Sequence, residues 1–281
     1  MSLCYNSGVG TLYLVATPIG NLEDITQRAI RTLRDVGCIA AEDTRHTRKL
    51  LEVYQIETPL ISYHEHSKPT RIDQLLAELE TGDVALVSDA GTPGLSDPGF
   101  RLVRAALDAG HTISPIPGPS APIAALVVSG LPADSYIYVG YLPRRAPERR
   151  SLLESLAGER RTLILFEVPH RLQSALEDMI SVFGAERPAA VCRELTKVHE
   201  EVLRGSLQKI RDHFAEVEPR GEFTLVIGGA PKGGRWAMDK VREEAAHRLS
   251  GGISPSQAAR EIALESGWPR REVYQLIMEE K

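Results

Sequence analysis

Short apolar runs alternate with amphipathic stretches along the first part of the chain. Runs of strand type occur at residues 11–17, 38–42, 59–63, 84–87 and 113–117, and helical spacing of apolar residues occupies 44–54, 71–79 and 97–109. Such alternation is typical of βαβ units. The pattern therefore predicts an α/β fold with a mainly parallel sheet.

The pattern changes after residue 117. An uncharged run over residues 112–133 holds five prolines and two glycines, so it is interpreted as a strand, a turn and a buried helix rather than a membrane span. The following segments predict a mixed sheet and two more helices: strands at 135–142, 162–167, 189–193, 200–204 and 222–227, and helices at 171–183 and 207–214.

Three units are expected from this organisation. They are an N-terminal α/β domain over residues 11–117, a second α/β domain over 118–231 that completes a ligand cleft, and a small helical module over 232–281. Within the last unit, Ser254 and Gln257 have the spacing of a helix capping box. A packing or protein-contact role and a nucleic-acid-binding helix-turn-helix both remain open for this module, because its charges are balanced.

The loop over residues 88–99 is the strongest candidate for a binding site and is called the glycine-bearing loop below. It follows four apolar residues of a buried strand and contains Gly91, Gly94 and Gly99. Open α/β sheets bind ligands at the carboxyl ends of their strands, and glycine lets the backbone approach a ligand closely. Asp89 offers an acceptor for an ammonium or a ribose hydroxyl, and Asp97 is expected to cap the next helix. The alternative is an ordinary connection without a ligand.

Several protein classes are disfavoured by the sequence. No G-x-G-x-x-G follows the first strand and no G-K-[S/T] is present, which argues against a nicotinamide enzyme and a P-loop NTPase. Cys4, Cys38 and Cys192 are far apart, so neither a disulfide framework nor a cysteine zinc site is indicated, and a cytoplasmic location fits best. The net charge of −5 means that nucleic acid would have to bind local basic patches.

Several blocks together resemble the tetrapyrrole methylase superfamily and, within it, the small-subunit ribosomal RNA methyltransferase I family. The blocks are Val15-Ala16-Thr17-Pro18-Ile19-Gly20-Asn21-Leu22, Ala41-Glu42-Asp43-Thr44-Arg45-His46-Thr47, Ser62-Tyr63-His64-Glu65-His66, residues 88–99, Pro117-Gly118-Pro119-Ser120-Ala121, Glu167-Val168-Pro169-His170-Arg171 and Arg193-Glu194-Leu195-Thr196-Lys197. Two positions depart from the pattern: Ser67-Lys68 replace an expected Asn-Glu pair, and Gly91-Thr92-Pro93 replaces the Gly-Asp-Pro of C-methylating relatives.

The resemblance implies an S-adenosylmethionine-dependent enzyme with two α/β domains and the methyl donor in the cleft between them. It further implies a homodimer that methylates the ribose 2′-hydroxyl of a cytidine in the decoding region of 16S rRNA, within the small ribosomal subunit. Two alternatives remain: a C-methyltransferase of a tetrapyrrole precursor, and a non-catalytic donor-binding protein associated with the ribosome.

By the same resemblance, the methyl donor is expected to contact residues from both domains. These are Pro18, Asp89, Gly91, Thr92, Pro93, Leu95, Ser120 and Ala121, with Phe166 and Glu167 from the second domain. The Asp role of the Gly-Asp-Pro motif would fall to Asp89. Ser120 could instead cap the helix that follows it.

A base would assist attack by a ribose hydroxyl, which is a weak acid. The candidates are Asp43, His46, His64 and His66. His64 and His66 would share one face if they lay on a strand, which suits a catalytic cluster or a metal pair, but no third ligand is evident and no metal is expected. Asp43 could instead cap the helix beginning near Thr44.

Two local patches of positive charge could contact RNA phosphates. Arg45, Arg48 and Lys49 share one edge of a predicted helix. The second patch combines three arginine pairs, Arg144-Arg145, Arg149-Arg150 and Arg160-Arg161. A solvated helix surface is the alternative for each patch.

Overall fold

The computed structural model describes residues 10–65, 67–231, 236–266 and 268–279. Its first sheet has the strand order β3-β2-β4-β1-β5, and every pairing is parallel. The strands are β1 (Thr11–Val15), β2 (Cys38–Ala41), β3 (Leu60–Ser62), β4 (Val84–Val87) and β5 (Thr112–Ile116). The predicted parallel sheet is confirmed.

Helices cover both faces of this sheet. They are α1 (Gln27–Asp35), α2 (Thr44–Val53), α3 (Pro69–Thr81) and α4 (Phe100–Asp108). On β4, Ala85 and Val87 pack with α1 and α2, whereas Val84 and Leu86 pack with α3 and α4. Because alternate residues of a strand face opposite sides, a strand covered on both faces must be apolar throughout, as β4 is.

The second sheet is mixed, as predicted, with the order β6-β7-β10-β8-β9. Only β6 and β7 are parallel. Its strands are β6 (Tyr136–Tyr141), β7 (Thr162–Glu167), β8 (Pro188–Arg193), β9 (Glu201–Ser206) and β10 (Phe223–Ile227). The helices around it are α5 (Ala121–Ser129), α6 (Ala146–Ser155), α7 (Pro169–Phe183) and α8 (Leu207–Glu216). Helix α6 was not predicted.

The two faces of the second sheet differ in their partners. Helices α6, α7 and α8 cover one face. On the other, Ala125 and Leu126 of α5 pack against Ile164, Cys192 and Val226. Ile19, from the loop after β1, joins this cluster, so the first sheet's connecting loops reach the second sheet.

Two boundaries differ from the predictions and both affect the site. Helix α4 begins at Phe100 with Gly99 as its N-cap residue, so the prediction that Asp97 caps it is wrong. Gly99 has φ 158°, and a Cβ there would lie 3.1 Å from Gly94 Cα, so the chain turns into the helix at glycine. Strand β3 ends at Ser62, so His64 does not lie on a strand.

The C-terminal unit is helical, as predicted. It comprises α9 (Met238–Ser250), α10 (Pro255–Ser266) and α11 (Arg270–Glu279), which share their own apolar cluster. The Ser254 hydroxyl accepts a 3.3 Å hydrogen bond from the Gln257 backbone, whereas the Gln257 side chain bonds to Glu261. In the described ranges no helix is both long and apolar enough to cross a bilayer.

The domain boundaries at 117/118 and 231/232 stay predictions. At the first, the chain passes from β5 directly into α5, which packs on the second sheet. At the second, residues 232–235 lie outside the described residues.

Candidate active site

The carboxyl edge of the first sheet opens into a cavity of about 270 Å³ whose lining comes from both sheets. Two backbone hydrogen bonds join the loops after β1 and β4 beside this cavity. The Thr17 nitrogen donates to the Gly91 oxygen at 2.9 Å, and the Gly91 nitrogen donates to the Thr17 oxygen at 3.0 Å. Gly91 has φ 79°, a conformation that glycine adopts without strain, so the glycine-bearing loop can turn at this point.

Most of the residues predicted to hold a methyl donor line this cavity. They are Asp89, Gly91, Thr92, Leu95, Ser120, Ala121 and Phe166. Ser120 occupies the N-cap position of α5 but makes no side-chain capping bond, so its hydroxyl remains available to the cavity. The structure thus brings together residues that are up to 77 positions apart, from Asp89 to Phe166.

Glu167 does not line the cavity, although the resemblance predicts it at the donor. Neighbouring residues on a strand point to opposite faces, so Phe166 and Glu167 cannot both face the cleft. The buried Glu167 carboxylate pairs with Arg171 and accepts a 2.8 Å hydrogen bond from the Val168 nitrogen. Glu167 therefore fixes the start of α7.

Two proline predictions also fall outside the main cavity. Pro18 lines a small adjacent cavity, which shares Asp89 with the main one. Pro93 is buried within the glycine-bearing loop and is not part of the lining. Both residues shape the loops that carry the site.

Four carboxylates line the cavity: Glu42, Asp89, Asp97 and Glu222. The exposed Glu222 pairs with Lys197, whereas the first three lie together at the edge of the first sheet. Burial, followed by the charges of Glu42 and Asp89, raises the pKa of Asp97 to about 6. Burial and the Asp89 charge also raise the pKa of Glu42, whose buried Oε2 has no hydrogen-bond partner. These shifts indicate a site where negative charge is not compensated by the protein itself.

Sequence reasoning had singled out only Asp89 from this cluster. Glu42 follows β2, and Asp89 and Asp97 follow β4, which is paired with β2. The carboxyl ends of paired parallel strands meet at one edge, so the positions of Glu42 and Asp97 were a usable signal. The prediction that Asp97 caps a helix left its place in the cavity unrecognised.

The second sheet supplies an aromatic and polar wall to the cavity. Tyr141 and Phe166 pack with ring centroids 5.3 Å apart, and Thr224 and Cys192 lie on neighbouring strands. The Ser96 and Tyr138 hydroxyls lie 2.7 Å apart, which ties the glycine-bearing loop to β6. Of the second-sheet residues in this wall, only Phe166 was among the predicted donor contacts.

A close contact between two loops forms another side of the cavity. The Asn21 nitrogen donates to Thr196 Oγ1 at 3.1 Å, and Thr196 has φ 65°, which is unusual for a β-branched residue. A Cβ on Gly20 would lie 2.9 Å from the Leu195 oxygen and 2.4 Å from Lys197 Cγ. Only glycine permits this approach without displacement, and the approach places both Ile19 and Leu195 in the lining.

Of the predicted bases that the structure describes, Asp43, His46 and His64 are not part of the lining of the main cavity. Asp43 caps α2 by accepting a 2.8 Å hydrogen bond from the Arg45 nitrogen, and it also pairs with the Arg45 guanidinium. These bonds hold the pKa of Asp43 far below its ordinary range, so its carboxylate is a weak base.

The two histidine candidates in the described residues also line other cavities. His64 lines a separate polar groove near the start of α3, and His46 lines the small cavity beside Pro18. His66 lies outside the described residues. No group of three or more His, Cys, Asp or Glu side chains in the described ranges is arranged to hold a metal ion.

The cationic residues divide into exposed and structural ones. Arg45, Arg48 and Lys49 are exposed on α2, whose N-cap residue Asp43 directly follows Glu42 of the cavity. Arg144 and Arg145 are exposed between β6 and α6, and Arg145 pairs with Glu148. These residues keep their predicted accessibility.

Arg149 does not belong to the exposed patch, and this corrects the prediction. Its side chain is only 6% exposed and its Nη2 lies 2.6 Å from Asp178 Oδ2. Arg150 donates to the other oxygen of the same carboxylate. Both arginines therefore join α6 to α7, whereas Arg161 pairs with Glu159 before β7, at the strand end opposite to Phe166.

Comparisons with known proteins agree with this architecture. The family model for Tetrapyrrole (Corrin/Porphyrin) Methylases matches residues 11–211. A protein of Synechocystis sp. called Ribosomal RNA small subunit methyltransferase I is 51% identical over 274 residues, covering 96% of this chain and 98% of its own. A protein of the same name from Halalkalibacterium halodurans is 45% identical, covering 96% of each chain.

Among solved structures, a similar fold occurs in a uroporphyrin-III C-methyltransferase of Thermus thermophilus complexed with S-adenosylhomocysteine. The TM-score is 0.54 at 20% identity, covering 78% of this chain and 97% of the other. At this identity the likeness concerns the fold.

Proposed function

The chain belongs to the tetrapyrrole methylase family, among the small-subunit ribosomal RNA methyltransferases I, and from this we propose that it methylates the ribose 2′-hydroxyl of a cytidine in the decoding region of 16S rRNA. The methyl donor is S-adenosylmethionine. The observation that carries the proposal is the convergence of Glu42, Asp89 and Asp97 on a cavity between the two sheets.

The residues present fit such a donor. S-adenosylmethionine supplies a methyl group on a positively charged sulfur and also carries an ammonium group. The unpartnered Glu42 Oε2 and the raised pKa values of Glu42 and Asp97 mark a place where a positive charge would be stabilised. By contrast, the Asp178 carboxylate is paired with arginines at both oxygens.

Binding and orientation would be divided between the sheets. Asp89 is held by the Asp43 nitrogen and can accept from an ammonium or a ribose hydroxyl, while Thr92 and Ser120 offer hydroxyls. Tyr141 and Phe166 provide apolar surface on the opposite wall. Pro18 and Pro93 fix the backbone of the two loops, and Glu167 acts only through the start of α7.

Alignment is the main catalytic contribution expected of the protein. Methyl transfer is an in-line displacement, which is fast only when oxygen, carbon and sulfur are collinear and within near-attack distance. The paired backbone bonds of Thr17 with Gly91 and the contact of Gly20 with Leu195 hold the lining of the cavity in place. These bonds support a preorganised site.

The RNA would reach the cavity past α2. Arg45, Arg48 and Lys49 are exposed there, and Arg144 and Arg145 form a second exposed group, so both are proposed phosphate contacts. Arg149 is not proposed as a phosphate contact because it is buried against Asp178. Arg150 also pairs with Asp178, but its side chain is 61% exposed, so it stays among the proposed contacts. We also propose that the enzyme is a homodimer working in the cytoplasm, which sedimentation and fractionation would test.

A methylation assay tests the function directly. Purified protein and labelled S-adenosylmethionine are incubated with undermethylated small ribosomal subunits, with free 16S rRNA and with a porphyrinoid. We expect label in the subunit RNA, recovered as 2′-O-methylcytidine after digestion to nucleosides. Label only in the porphyrinoid would indicate a C-methyltransferase of a tetrapyrrole. Donor binding without label in any acceptor would indicate a non-catalytic protein.

A further inference from the structure

We propose that Asp97 is the general base that removes the proton from the ribose hydroxyl during methyl transfer. The inference rests on the proposed function and names a residue of the same site. It replaces the histidines and Asp43, which the sequence had suggested for this role.

Asp97 is placed at the junction of the two sheets. It lies in the glycine-bearing loop and lines the cavity together with Tyr141 and Phe166 of the second sheet. The preceding residue, Ser96, bonds to Tyr138 of β6 at 2.7 Å. The loop that carries Asp97 is thus held against the second sheet at the cavity. An acceptor that entered between the sheets would meet the donor at this place.

The other three carboxylates of the lining already have partners, and Glu222 pairs with Lys197 at 3.2 Å. Asp89 Oδ1 accepts a 3.0 Å hydrogen bond from the Asp43 nitrogen, and Glu42 accepts a hydrogen bond from the Asp89 backbone. Asp97 interacts with the Ser88 hydroxyl instead, and no cation is among the causes that shift its pKa. Without a cationic partner, its basicity is not reduced as that of Asp43 is.

The groups facing Asp97 come from several elements. Glu42 follows β2, Asp89 and Ser88 follow β4, and Tyr138 and Tyr141 belong to β6. Burial and these carboxylates raise the pKa of Asp97 to about 6, close to neutral pH. A base is most effective when its pKa lies near the working pH while it remains deprotonated.

The step balances as follows. The ribose oxygen forms a bond to the methyl carbon as the carbon–sulfur bond breaks, and that bond's electron pair returns to sulfur. The hydroxyl proton passes to the Asp97 carboxylate and then to water. The sulfonium loses its positive charge in this step. The acidic cluster therefore binds the charged donor more tightly than the thioether product.

The test compares Asp97→Asn with wild type and with the control Asp108→Asn, whose side chain is 64% exposed on α4. Single-turnover methylation of small subunits is measured across pH 5–9, with donor affinity measured by calorimetry. We expect Asp97→Asn to lower the rate by roughly 100- to 10,000-fold, to remove the rise of rate through pH 6 and to change donor affinity less than threefold. Asp108→Asn should match wild type, and Asp97→Glu should restore part of the rate and its pH dependence.

Two results would overturn the inference while leaving the proposed function intact. One is an Asp97→Asn rate within threefold of wild type with its pH dependence kept. The other is a loss of donor affinity that matches the loss of rate, which would make Asp97 a donor-binding residue. If wild type methylates no RNA ribose, the proposed function and this inference fail together.

Discussion

The backbone nitrogen of Asp43 donates a 3.0 Å hydrogen bond to Oδ1 of Asp89. This bond joins the loops after β2 and β4, which are paired strands of the first sheet. It fixes the Asp89 carboxylate at the edge of the cavity and leaves Oδ2 for a ligand. Asp43 therefore contributes through its backbone, while its side chain caps α2.

Replacing Asp89 should separate donor binding from folding. We expect Asp89→Ala to weaken S-adenosylmethionine binding by roughly tenfold to hundredfold, because a hydrogen bond to a charged group contributes about 1.5–3 kcal/mol. Calorimetry measures the affinity and circular dichroism checks the fold. Asp89→Asn is the matched variant that keeps the Oδ1 acceptor and removes the charge. Unchanged affinity in Asp89→Ala would remove Asp89 from the donor site.

Gly20→Ala should disrupt the cavity from a position outside its lining. The new Cβ would lie 2.9 Å from the Leu195 backbone oxygen, so the two loops would have to separate. We expect weaker donor binding and a lower Tm, measured by calorimetry and thermal melting. The control is Gly158→Ala, because a Cβ at Gly158 has no heavy atom within 4 Å. Equal behaviour of the two variants would contradict this account of the loop contact.

Arg45→Ala should weaken RNA binding by an electrostatic mechanism. Loss of one phosphate contact is expected to reduce the salt dependence of log K by about one unit of slope, with donor affinity unchanged. Filter binding at several salt concentrations measures the slope. Arg161→Ala is a close control, because Arg161 makes the same three bonds to Glu159 that Arg45 makes to Asp43. A slope equal to that of the control would place Arg45 outside the interface.

Arg149→Ala should destabilise the protein without a specific effect on RNA binding. The variant leaves the Asp178 carboxylate, which is 4% exposed, without one of its two arginine partners. Breaking a buried pair on one side costs about 3–5 kcal/mol of unfolding free energy. Urea unfolding measures this, and the exposed Arg145→Ala should change stability by about 0.5 kcal/mol or less. A small change in Arg149→Ala would contradict a structural role.

Asp97→Asn should make the protein more stable at neutral pH while it loses activity. The folded-state pKa of Asp97, about 6, lies above its ordinary value of 3.8, so ionisation opposes folding. Wild-type stability should therefore fall relative to the variant as pH rises from about 4 to 6 and stay lower above that. Thermal melts of both proteins between pH 4 and 8 give this difference. A constant difference over the whole range would show that Asp97 titrates normally.

Much of the fold follows from local patterns in the sequence. The apolar runs of β4 and β7 and the helical spacing of α2 and α7 specify their elements, because burial on one or both faces imposes a period of 2 or 3.6 residues. The glycine-bearing loop was also recognisable, since glycines after a buried strand mark a turn at a sheet edge. Helix α6 was not predicted as an element, and its arginines were interpreted only as a basic patch or a solvated helix surface.

The site depended more on tertiary structure. Asp89, Thr92 and Ser120, which the resemblance predicts at one site, line one cavity, whereas Asp97 lines this cavity instead of capping a helix. The opposite orientation of Phe166 and Glu167 could have been predicted from strand alternation alone. The burial of Arg149 could not, because its carboxylate partner Asp178 lies 29 residues away on another helix.

The sequence by itself determined the strands, most of the helices and the loops at the edge of the first sheet, since these depend on neighbouring residues and on periodic burial. Only the tertiary structure decided that Glu42, Asp89 and Asp97 face one cavity and that Arg149 is internal. The physical reason is that burial and charge compensation depend on distances between residues far apart in the chain. A carboxylate becomes a base, a cap or half of an ion pair according to the partners that folding places beside it.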